Sequence, residues 1–341
     1  MQEITVGSNQ QGQRFDKLLQ KVLPEASTSF LYKMLRKKNI TLNNKKAEGK
    51  EMLASGDVIK IFLADETYVK FGGKLIEGTT SMPSEAVETK SYEQAYKQLQ
   101  EIEIVYEDEQ VLVANKPSGI LSQKASATDV SLNEWLIGYL LAHNKITARE
   151  LVLFKPSICN RLDRNTSGLI LCGKSLKGTQ VLNQWVKDRS VKKFYRLFVA
   201  GRLEKGDHIK GYLTKNKKTN KVTVTTTPQG DSSEIETIYK PLAFYEDITY
   251  VEVELITGKT HQIRAHLASI LHPLVGDFKY GDALINQVYK EKFGIKDQML
   301  HAYRLAFPVH DIEELQGLSG KVIFAKEPQI YDQIKMISTK G

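Results

Sequence analysis

The pattern of apolar and polar positions over residues 1–65 predicts a small α/β module. The first helix carries apolar residues at helical spacing, namely Phe15, Leu18, Leu19 and Val22. Pro24 ends it, and a serine-capped second helix is predicted over 30–38. A short strand over 40–42, a turn at Asn43–Asn44 and a closing strand over 58–62 complete the module.

The rest of the chain is predicted to contain a linker, one large strand-rich domain and a tail. Residues 66–100 are polar and glycine-containing, which indicates a long linker with a short helix over 92–99. We expect a single domain over 101–330 and a C-terminal tail over 331–341. Strands are predicted over 102–106, 111–115, 169–172, 194–199, 222–226, 235–239, 249–256 and 321–324. Helices are predicted over 131–143, 175–187 and 260–271.

Composition narrows the class of protein. Hydrophobic residues make up 41% of the 341 positions, which is enough for a folded core. With 48 Lys and Arg against 40 Asp and Glu, the net charge of +8 indicates an anionic partner, either nucleic acid or a membrane surface. The basic residues are densest over 33–50 and 187–221. A single lysine run is often only a solvated face, but two runs in separate regions favour a binding role.

Several classes of protein are not expected from this sequence. It has no 18-residue apolar run and no signal-peptide layout at its start, so we expect neither a membrane span nor export. The two cysteines, Cys159 and Cys172, have no ligand spacing. We therefore expect no metal, no cofactor and a reducing, cytoplasmic location.

The segment with the most distinctive chemistry is 160–168. It places Asp163 between Arg161 and Arg164, directly before a Thr-Ser-Gly turn and an apolar strand. Two interpretations remain open. Asp163 could satisfy the backbone of the turn, or it could be a nucleophile kept ionised by the neighbouring guanidinium groups.

Three further segments carry candidate residues. Lys116 stands at a strand end within 115–119 and could pair with an anion. Tyr195 lies between basic residues in 192–197, where it could stack on a nucleobase, move a proton or simply pack in the core. In 255–267 a strand ends at a Gly-Lys turn, a helix capped by Thr260 follows, and Arg264 lies at the rim, where it could reach a carboxylate. His261 and His266 are either packing residues or phosphate contacts.

The first module resembles the small RNA-binding module named after a small-subunit ribosomal protein (S-four-like). The matching residues are 14–17, 29–31, Arg36, 40–43 and 55–59. Arg36, Lys37 and Lys38, at the end of the second helix, are expected to contact RNA phosphates and to give salt-sensitive affinity that does not depend on sequence.

The four segments of the large domain, in this order, resemble the RluA-type pseudouridine synthase family. The resemblance extends over 102–324 and includes 274–281 and 300–305. It implies an α+β fold, with a mixed, mostly antiparallel sheet in the catalytic domain and a small N-terminal α/β RNA-binding domain.

The same resemblance assigns roles to individual residues. It implies that Asp163 is the catalytic aspartate, Tyr195 the active-site tyrosine and Arg264 the arginine that pairs with the aspartate. The expected RNA contacts in this domain are Lys116, Arg161, Arg164, Lys259 and His261. The chain departs from the family pattern at Asn160, where His is frequent, at Asn165, where an acid is frequent, and at Lys259, where Arg is frequent.

The resemblance implies that the chain isomerises uridine to pseudouridine in structured RNA. Large-subunit ribosomal RNA is the expected substrate, transfer RNA remains open, and a monomer is the default state. The sequence does not decide whether Asp163 attacks the ribose, promotes glycal formation or attacks the pyrimidine ring. A non-catalytic RNA-binding or ribosome-assembly factor also remains open, as does a glycosidase or nucleoside hydrolase, although that class needs a second carboxylate or a metal.

Overall fold

The computed structural model describes residues 1–7, 10–73, 83–216, 219 and 221–337. The N-terminal elements are β1 (Gln2–Thr5), α1 (Phe15–Val22), α2 (Thr28–Arg36), β2 (Ile40–Leu42), β3 (Lys45–Lys46), β4 (Val58–Ile61) and α3 (Asp65–Lys70). The four strands form an antiparallel sheet in the order β1-β4-β2-β3. The apolar faces of α1 and α2 enclose one core with this sheet.

Local signals in the sequence explain these elements. The Ser27 side chain accepts a hydrogen bond from the Phe30 amide and caps α2. Asn43 and Asn44 both have positive φ, as a tight hairpin turn between β2 and β3 requires. The Asn43 side-chain carbonyl also accepts the Val58 amide at 2.8 Å, which fixes the turn to β4. The predicted helices and turn of this module are confirmed.

The region predicted as a polar linker contains a packed helix at each end. Tyr68 of α3 is buried in the N-terminal core. A further helix, α4 (Pro83–Gln98), buries Tyr92 and Ala95 against the large domain. These few apolar residues among many polar ones do not form a long stripe, so their partners became visible only in the tertiary structure. The middle of the predicted linker, 74–82, lies outside the described residues, and the domain division itself stays a prediction.

The large domain follows α4. Its strands are β5 (Glu103–Glu107), β6 (Val111–Lys116), β7 (Ser157–Ile158), β8 (Ser167–Gly173), β9 (Lys192–Ala200), β10 (Asp207–Lys215), β11 (Val222–Thr225), β12 (Ser233–Tyr245), β13 (Ile248–Leu255), β14 (Leu300–Ala306) and β15 (Val322–Phe324). Its helices are α5 (Leu132–Ala142), α6 (Ala148–Leu153), α7 (Leu176–Lys187), α8 (Gln262–Ser269), α9 (Ala283–Phe293) and α10 (Gln329–Ile337).

One large sheet organises this domain, in the order β11-β10-β12-β13-β9-β14-β8-β6-β5. Every neighbouring pair along this path is antiparallel except β14 and β8, which are parallel. The α+β fold class, with a mixed, mostly antiparallel sheet and a small N-terminal domain, is therefore confirmed.

The sequence pattern missed several elements of this domain. Strand β10 buries only Gly211 and Leu213 among polar residues, which gives a weak alternation. Strand β14 and helix α9 were also not predicted. A C-terminal tail was expected over 331–341, but residues 331–337 belong to helix α10, which buries Tyr331 and Ile334. Residues 338–341 lie outside the described residues. Within the described part of the chain, no helix is both long and apolar enough to cross a membrane.

Candidate active site

The structure brings the three predicted catalytic residues into one cleft. Asp163 lies in the loop before β8, Tyr195 lies on β9, and Arg264 lies on α8, which follows β13. Strands β8 and β9 both flank β14, and β13 is the next neighbour of β9, so the sheet order itself gathers these residues. The Asp163 carboxylate accepts a hydrogen bond from Arg264 Nη1 at 2.9 Å and keeps 27% of its side-chain surface exposed.

The loop that carries Asp163 is fixed by the side chains of Ser122 and Asn160. Ser122 Oγ donates to the Leu162 carbonyl at 2.8 Å and accepts the Leu162 amide at 3.1 Å. The Asn160 side-chain carbonyl accepts the Leu171 amide of β8 at 2.7 Å. Asn160, one of the departures from the family pattern, therefore fixes the loop to strand β8.

The turn after Asp163 is closed by backbone rather than by its carboxylate. The Thr166 amide donates to the Asp163 carbonyl oxygen at 3.0 Å. The carboxylate faces Arg264 and the cleft. This geometry supports the interpretation of Asp163 as a reactive group over its interpretation as a turn cap.

A second carboxylate, which was not among the predicted site residues, holds Arg264 from the other side. Arg264 donates from Nε and Nη2 to the two oxygens of Asp277, at 2.6 and 2.9 Å. Asp277 has 0% exposure and also accepts the amides of Lys279 and Tyr280. Burial alone would raise the pKa of Asp277, but the Arg264 hydrogen bonds and charge lower it below its usual range. The signal that could have found Asp277 was its place within 274–281, a segment that shares the family resemblance.

His261 lies on the same side of the cleft as Arg264. Its Nε2 is 3.8 Å from the Asp163 carboxylate, and its Nδ1 is 2.9 Å from the Tyr280 hydroxyl. His261 also occupies the N-cap position of α8 with a left-handed backbone, φ 54°. The prediction that Thr260 caps this helix is therefore wrong. The preceding turn is held instead by Gln262, whose side-chain carbonyl accepts the Lys259 amide at 3.0 Å.

Tyr195 forms part of the apolar wall of the cleft. It is buried, together with its neighbours Leu162 and Leu300. Burial, and then the charge of Asp163, raise the pKa of Tyr195. The phenol is therefore neutral at neutral pH rather than a phenolate.

One predicted RNA contact is corrected by the structure. Lys116 has 0% exposure, and its ammonium donates to the carbonyl oxygens of Pro117, Ile120 and Arg164 at 2.8, 2.8 and 3.0 Å. Burial lowers the pKa of Lys116 to about 7, but three carbonyl acceptors match the three N–H groups of the protonated form. Lys116 is thus turned inward and braces the Asp163 loop.

The other predicted RNA contacts of this domain surround the cleft. Arg161, Arg164 and Lys259 are exposed at its rim, and His261 lies inside it. Lys215, at the end of β10, adds a cation that was not among the predicted contacts. The part of the cleft between these rim residues and Asp163 has a volume of about 630 Å³, within the range of small-molecule and cofactor sites. The adjoining part that Tyr195 lines has a volume of about 80 Å³.

The three predicted contacts of the N-terminal module lie on its surface. Arg36, Lys37 and Lys38 are exposed at the end of α2. Lys45 and Lys46, which form β3 of the following hairpin, are also exposed. We call the exposed cations of this segment the basic surface; they are Lys33, Arg36, Lys37, Lys38, Lys45, Lys46 and Lys50.

Other chemistries have little support in the described part of the chain. No cluster of His, Cys, Asp and Glu there could hold a metal ion. Cys159 and Cys172 are free thiols, and burial raises the pKa of Cys159 to about 12, so it is a poor nucleophile.

Comparison with known proteins gives consistent matches. Residues 110–269 match the family model described as RNA pseudouridylate synthase. The chain is 30% identical over 322 residues to "Ribosomal large subunit pseudouridine synthase C" of Vibrio cholerae, covering 92% of this chain and 90% of that protein. It is also 30% identical over 308 residues to "Ribosomal large subunit pseudouridine synthase D" of Neisseria meningitidis, covering 89% of this chain and 74% of that protein.

A solved structure shares the fold. "Human RNA Pseudouridylate Synthase Domain Containing 4" superposes with a TM-score of 0.55 at 20% identity. The match covers 72% of this chain and 96% of the human chain.

Proposed function

The chain belongs to the RNA pseudouridylate synthase family, and we propose that it converts specific uridines of large-subunit ribosomal RNA to pseudouridine, with Asp163 as the nucleophile. As a member of that family it is an RNA pseudouridine synthase, an isomerase. The single observation that carries the proposed mechanism is the 2.9 Å ion pair between Asp163 and Arg264 in the cleft that Tyr195 lines.

The surroundings of Asp163 suit a nucleophile. The Arg264 guanidinium favours the ionised carboxylate, because an opposite charge at hydrogen-bond distance stabilises it. The remaining exposed surface of Asp163 faces a cleft large enough for a nucleoside. A uridine in stacked RNA has to leave its helix to reach this carboxylate, so the proposal includes base flipping.

In the proposed reaction, one Asp163 oxygen bonds to C1′ of the ribose as the N1–C1′ bond breaks, and the bonding pair stays on uracil. The detached base turns so that C5 faces C1′. The C5–C1′ bond then forms, Asp163 leaves as a carboxylate, and the proton lost from C5 is balanced by one gained at N1. Tyr195 would pack against the uracil ring and could hold or move a proton through its neutral hydroxyl. No other reactant is required.

Two other routes use the same carboxylate. Asp163 could instead remove a ribose proton to form a glycal, or it could attack the pyrimidine ring at C6. All three routes require an ionised Asp163 next to the flipped base, so the Asp163–Arg264 pair supports each of them.

A hydrolytic function has less support. Glycosidases of the two-carboxylate type need both groups at the scissile bond. Asp163 is the single acid lining the cleft within the described residues. Asp277 is fully buried and both of its oxygens are engaged by Arg264.

The proposed substrate rests on the relatives and on charge. Both bacterial relatives carry names that refer to the large ribosomal subunit. The cationic rim of the cleft and the basic surface of the N-terminal module are two places where RNA phosphates could bind. We propose that the N-terminal module binds RNA and positions the substrate for the cleft.

The test compares Asp163→Asn with the wild type and with Glu246→Gln, an acid-to-amide control on an exposed turn. We expect Asp163→Asn to abolish tritium release from RNA labelled at uridine C5 while RNA affinity stays near wild type, and Glu246→Gln to behave as wild type. Turnover at the wild-type rate by Asp163→Asn would contradict the mechanism.

The substrate is tested separately in cells. Pseudouridine is mapped by carbodiimide-dependent reverse-transcription stops in ribosomal RNA from cells with the wild-type gene or with Asp163→Ala. Stops that disappear only in the variant identify the target uridines. An unchanged ribosomal map would contradict the proposed substrate, and the same map of transfer RNA would then test the alternative.

A further inference from the structure

His261 takes part in a chain of hydrogen bonds that ends in the cleft. The Val222 amide donates to the Tyr280 hydroxyl oxygen at 2.9 Å. The same hydroxyl lies 2.9 Å from His261 Nδ1. On the opposite edge of the imidazole ring, Nε2 faces Asp163 at 3.8 Å.

We assign the direction of this chain from its first member. A backbone amide can only donate, so the Tyr280 oxygen is the acceptor of the Val222 bond. With that acceptor position occupied, we assign the Tyr280 hydroxyl as the donor to His261 Nδ1. A neutral imidazole that accepts at Nδ1 carries its proton on Nε2. This assignment gives the tautomer that presents an N–H group to the cleft.

The charges around His261 favour this neutral form. Burial is the largest influence and lowers the pKa of His261. Arg264 and Lys279 lower it further, while Asp163 and Asp277 oppose them. Each acid already has a strong cationic partner in Arg264, which leaves less of their charge to stabilise an imidazolium.

The backbone of His261 sets the direction of its side chain. Its φ of 54° is left-handed, a conformation that also occurs at turn residues such as Asn43 and Asn44. The conformation turns the side chain to Tyr280 and Asp163, and only 10% of its surface is exposed.

We propose that His261 is a catalytic residue: its neutral imidazole, oriented by Tyr280, donates Nε2–H to the O2 carbonyl of the uracil as the base detaches. This inference rests on the proposed function of Asp163. If Asp163 attacks C1′, the leaving atom is N1, and O2 is carried by the neighbouring ring carbon. A donor that lies close to Asp163 is therefore close to the oxygen on which negative charge develops, where a hydrogen bond strengthens in the transition state.

Paired substitutions test the donor. In His261→Asn the amide tolerates the left-handed backbone but is too short to reach the Nε2 position, whereas His261→Gln can place an amide N–H there. We expect His261→Asn to lower kcat about 100-fold with KM nearly unchanged, and His261→Gln to recover most of that loss. His143→Gln, at the exposed end of α5 and away from the residues that line the cleft, is the control and should match the wild type.

Tyr280→Phe tests the orientation, because it removes the hydroxyl that fixes the tautomer and keeps the ring. We expect a smaller fall in kcat than in His261→Asn, on the order of ten-fold. In ¹⁵N-histidine NMR spectra of the full chain without RNA, the wild type should show His261 protonated at Nε2 alone, and Tyr280→Phe should shift the population to Nδ1–H. The His261→Gln spectrum assigns the signals.

Three outcomes would overturn the proposal. They are a wild-type His261 protonated at Nδ1, an unchanged kcat in His261→Asn, and an effect of that variant confined to KM, which would indicate a phosphate or ribose contact instead. Each is distinguishable from failure of the proposed function, because that failure appears as activity in Asp163→Asn.

Discussion

At the scale of single residues, Arg264 is the centre of the candidate site because it joins two carboxylates with different surroundings. The Nε and Nη2 edge of its guanidinium meets the fully buried Asp277, and Nη1 remains for the half-buried Asp163. Only a planar group with several fixed donors can make both contacts at once, so lysine could not replace it. Asp277 fixes the guanidinium so that the pair with Asp163 exists before RNA binds.

Asp277→Asn tests this positioning role. The change keeps the size of the side chain but removes a charge from a buried pair, so we expect the free energy of unfolding to fall by about 3 kcal/mol. We also expect kcat to fall because Arg264 is no longer held toward Asp163. Urea unfolding and tritium release from C5-labelled RNA measure the two effects.

The control is Asp231→Asn, at an exposed turn, which should change neither quantity. A purely structural Asp277 would lower stability yet leave kcat per folded molecule at the wild-type value, and that result would contradict the positioning role. Asp277→Glu, which keeps the charge, should recover part of the lost kcat.

At the scale of elements, the parallel contact between β8 and β14 sets the position of the Asp163 loop. Ser167 and Gly168 at the start of β8 pair with His301 and Ala302 of β14. Gly168 has φ 115°, and a Cβ there would lie 2.3 Å from the Ala302 carbonyl oxygen. Glycine is therefore required at this position for two reasons, its backbone conformation and the close approach of β14.

Gly168→Ala should accordingly destabilise the protein. We expect the free energy of unfolding to fall by at least about 2 kcal/mol, since the new methyl group meets backbone atoms that cannot move aside. The matched control is Gly258→Ala, because Gly258 has no positive φ and a methyl group added there would extend into open space. Denaturant unfolding of both variants measures the difference. A Gly168→Ala protein as stable as Gly258→Ala would contradict the close approach of β14 to position 168.

Two helices owe their packing to aromatic partners that are distant in the sequence. Tyr96 of α4 contacts Trp135 and Tyr139 of α5, with ring centroids 6.4 and 6.0 Å apart. In α10, Lys335 pairs with Glu327 and lies 4.2 Å from the centre of the Tyr250 ring. Helix α4 is short in apolar residues, whereas α10 is amphipathic, and each becomes part of a core through contacts with distant strands and helices.

At the scale of the whole molecule, two groups of exposed cations bear on RNA binding, the basic surface and the rim of the cleft. Both sets of side chains are exposed and could bind phosphates at the same time. Binding at two places on one RNA raises affinity without new contacts at either place. Family membership establishes that the chain is an RNA pseudouridine synthase. The RNA-binding role of the basic surface stays a prediction.

The salt dependence of RNA binding tests that role. Each phosphate contact contributes roughly 0.7 to 0.9 to the slope of log affinity against log salt. We expect the double variant Lys37→Gln, Lys38→Asn to lower the slope by about 1 to 2 in magnitude. Asparagine is chosen at position 38 because Lys38 has φ 58°.

The charge-matched control is Lys240→Gln, Lys290→Gln, two exposed lysines outside the basic surface and the cleft rim. It should leave the slope within about 0.5 of the wild type. A slope that does not change in the Lys37 and Lys38 variant would contradict an RNA contact at this surface.

The sequence by itself determined the class of fold and supplied the candidate reactive residues. Apolar periodicity is local, so it located α1, α2, α5 and α7 and most strands of the large sheet. The segments around Asp163, Tyr195 and Arg264 carried the family resemblance, because residue type and order along the chain are properties of the sequence alone.

Only the tertiary structure decided which side of each residue faces the cleft and what surrounds it. Lys116 and Lys259 are the same residue type, yet one is enclosed by three carbonyl oxygens and the other is exposed at the rim. The Asp277–Arg264 and Tyr280–His261 contacts became visible only when α8 and the segment after it came together. The physical reason is that burial and hydrogen-bond direction depend on groups far apart in the chain, and these set the charge and the orientation of a side chain.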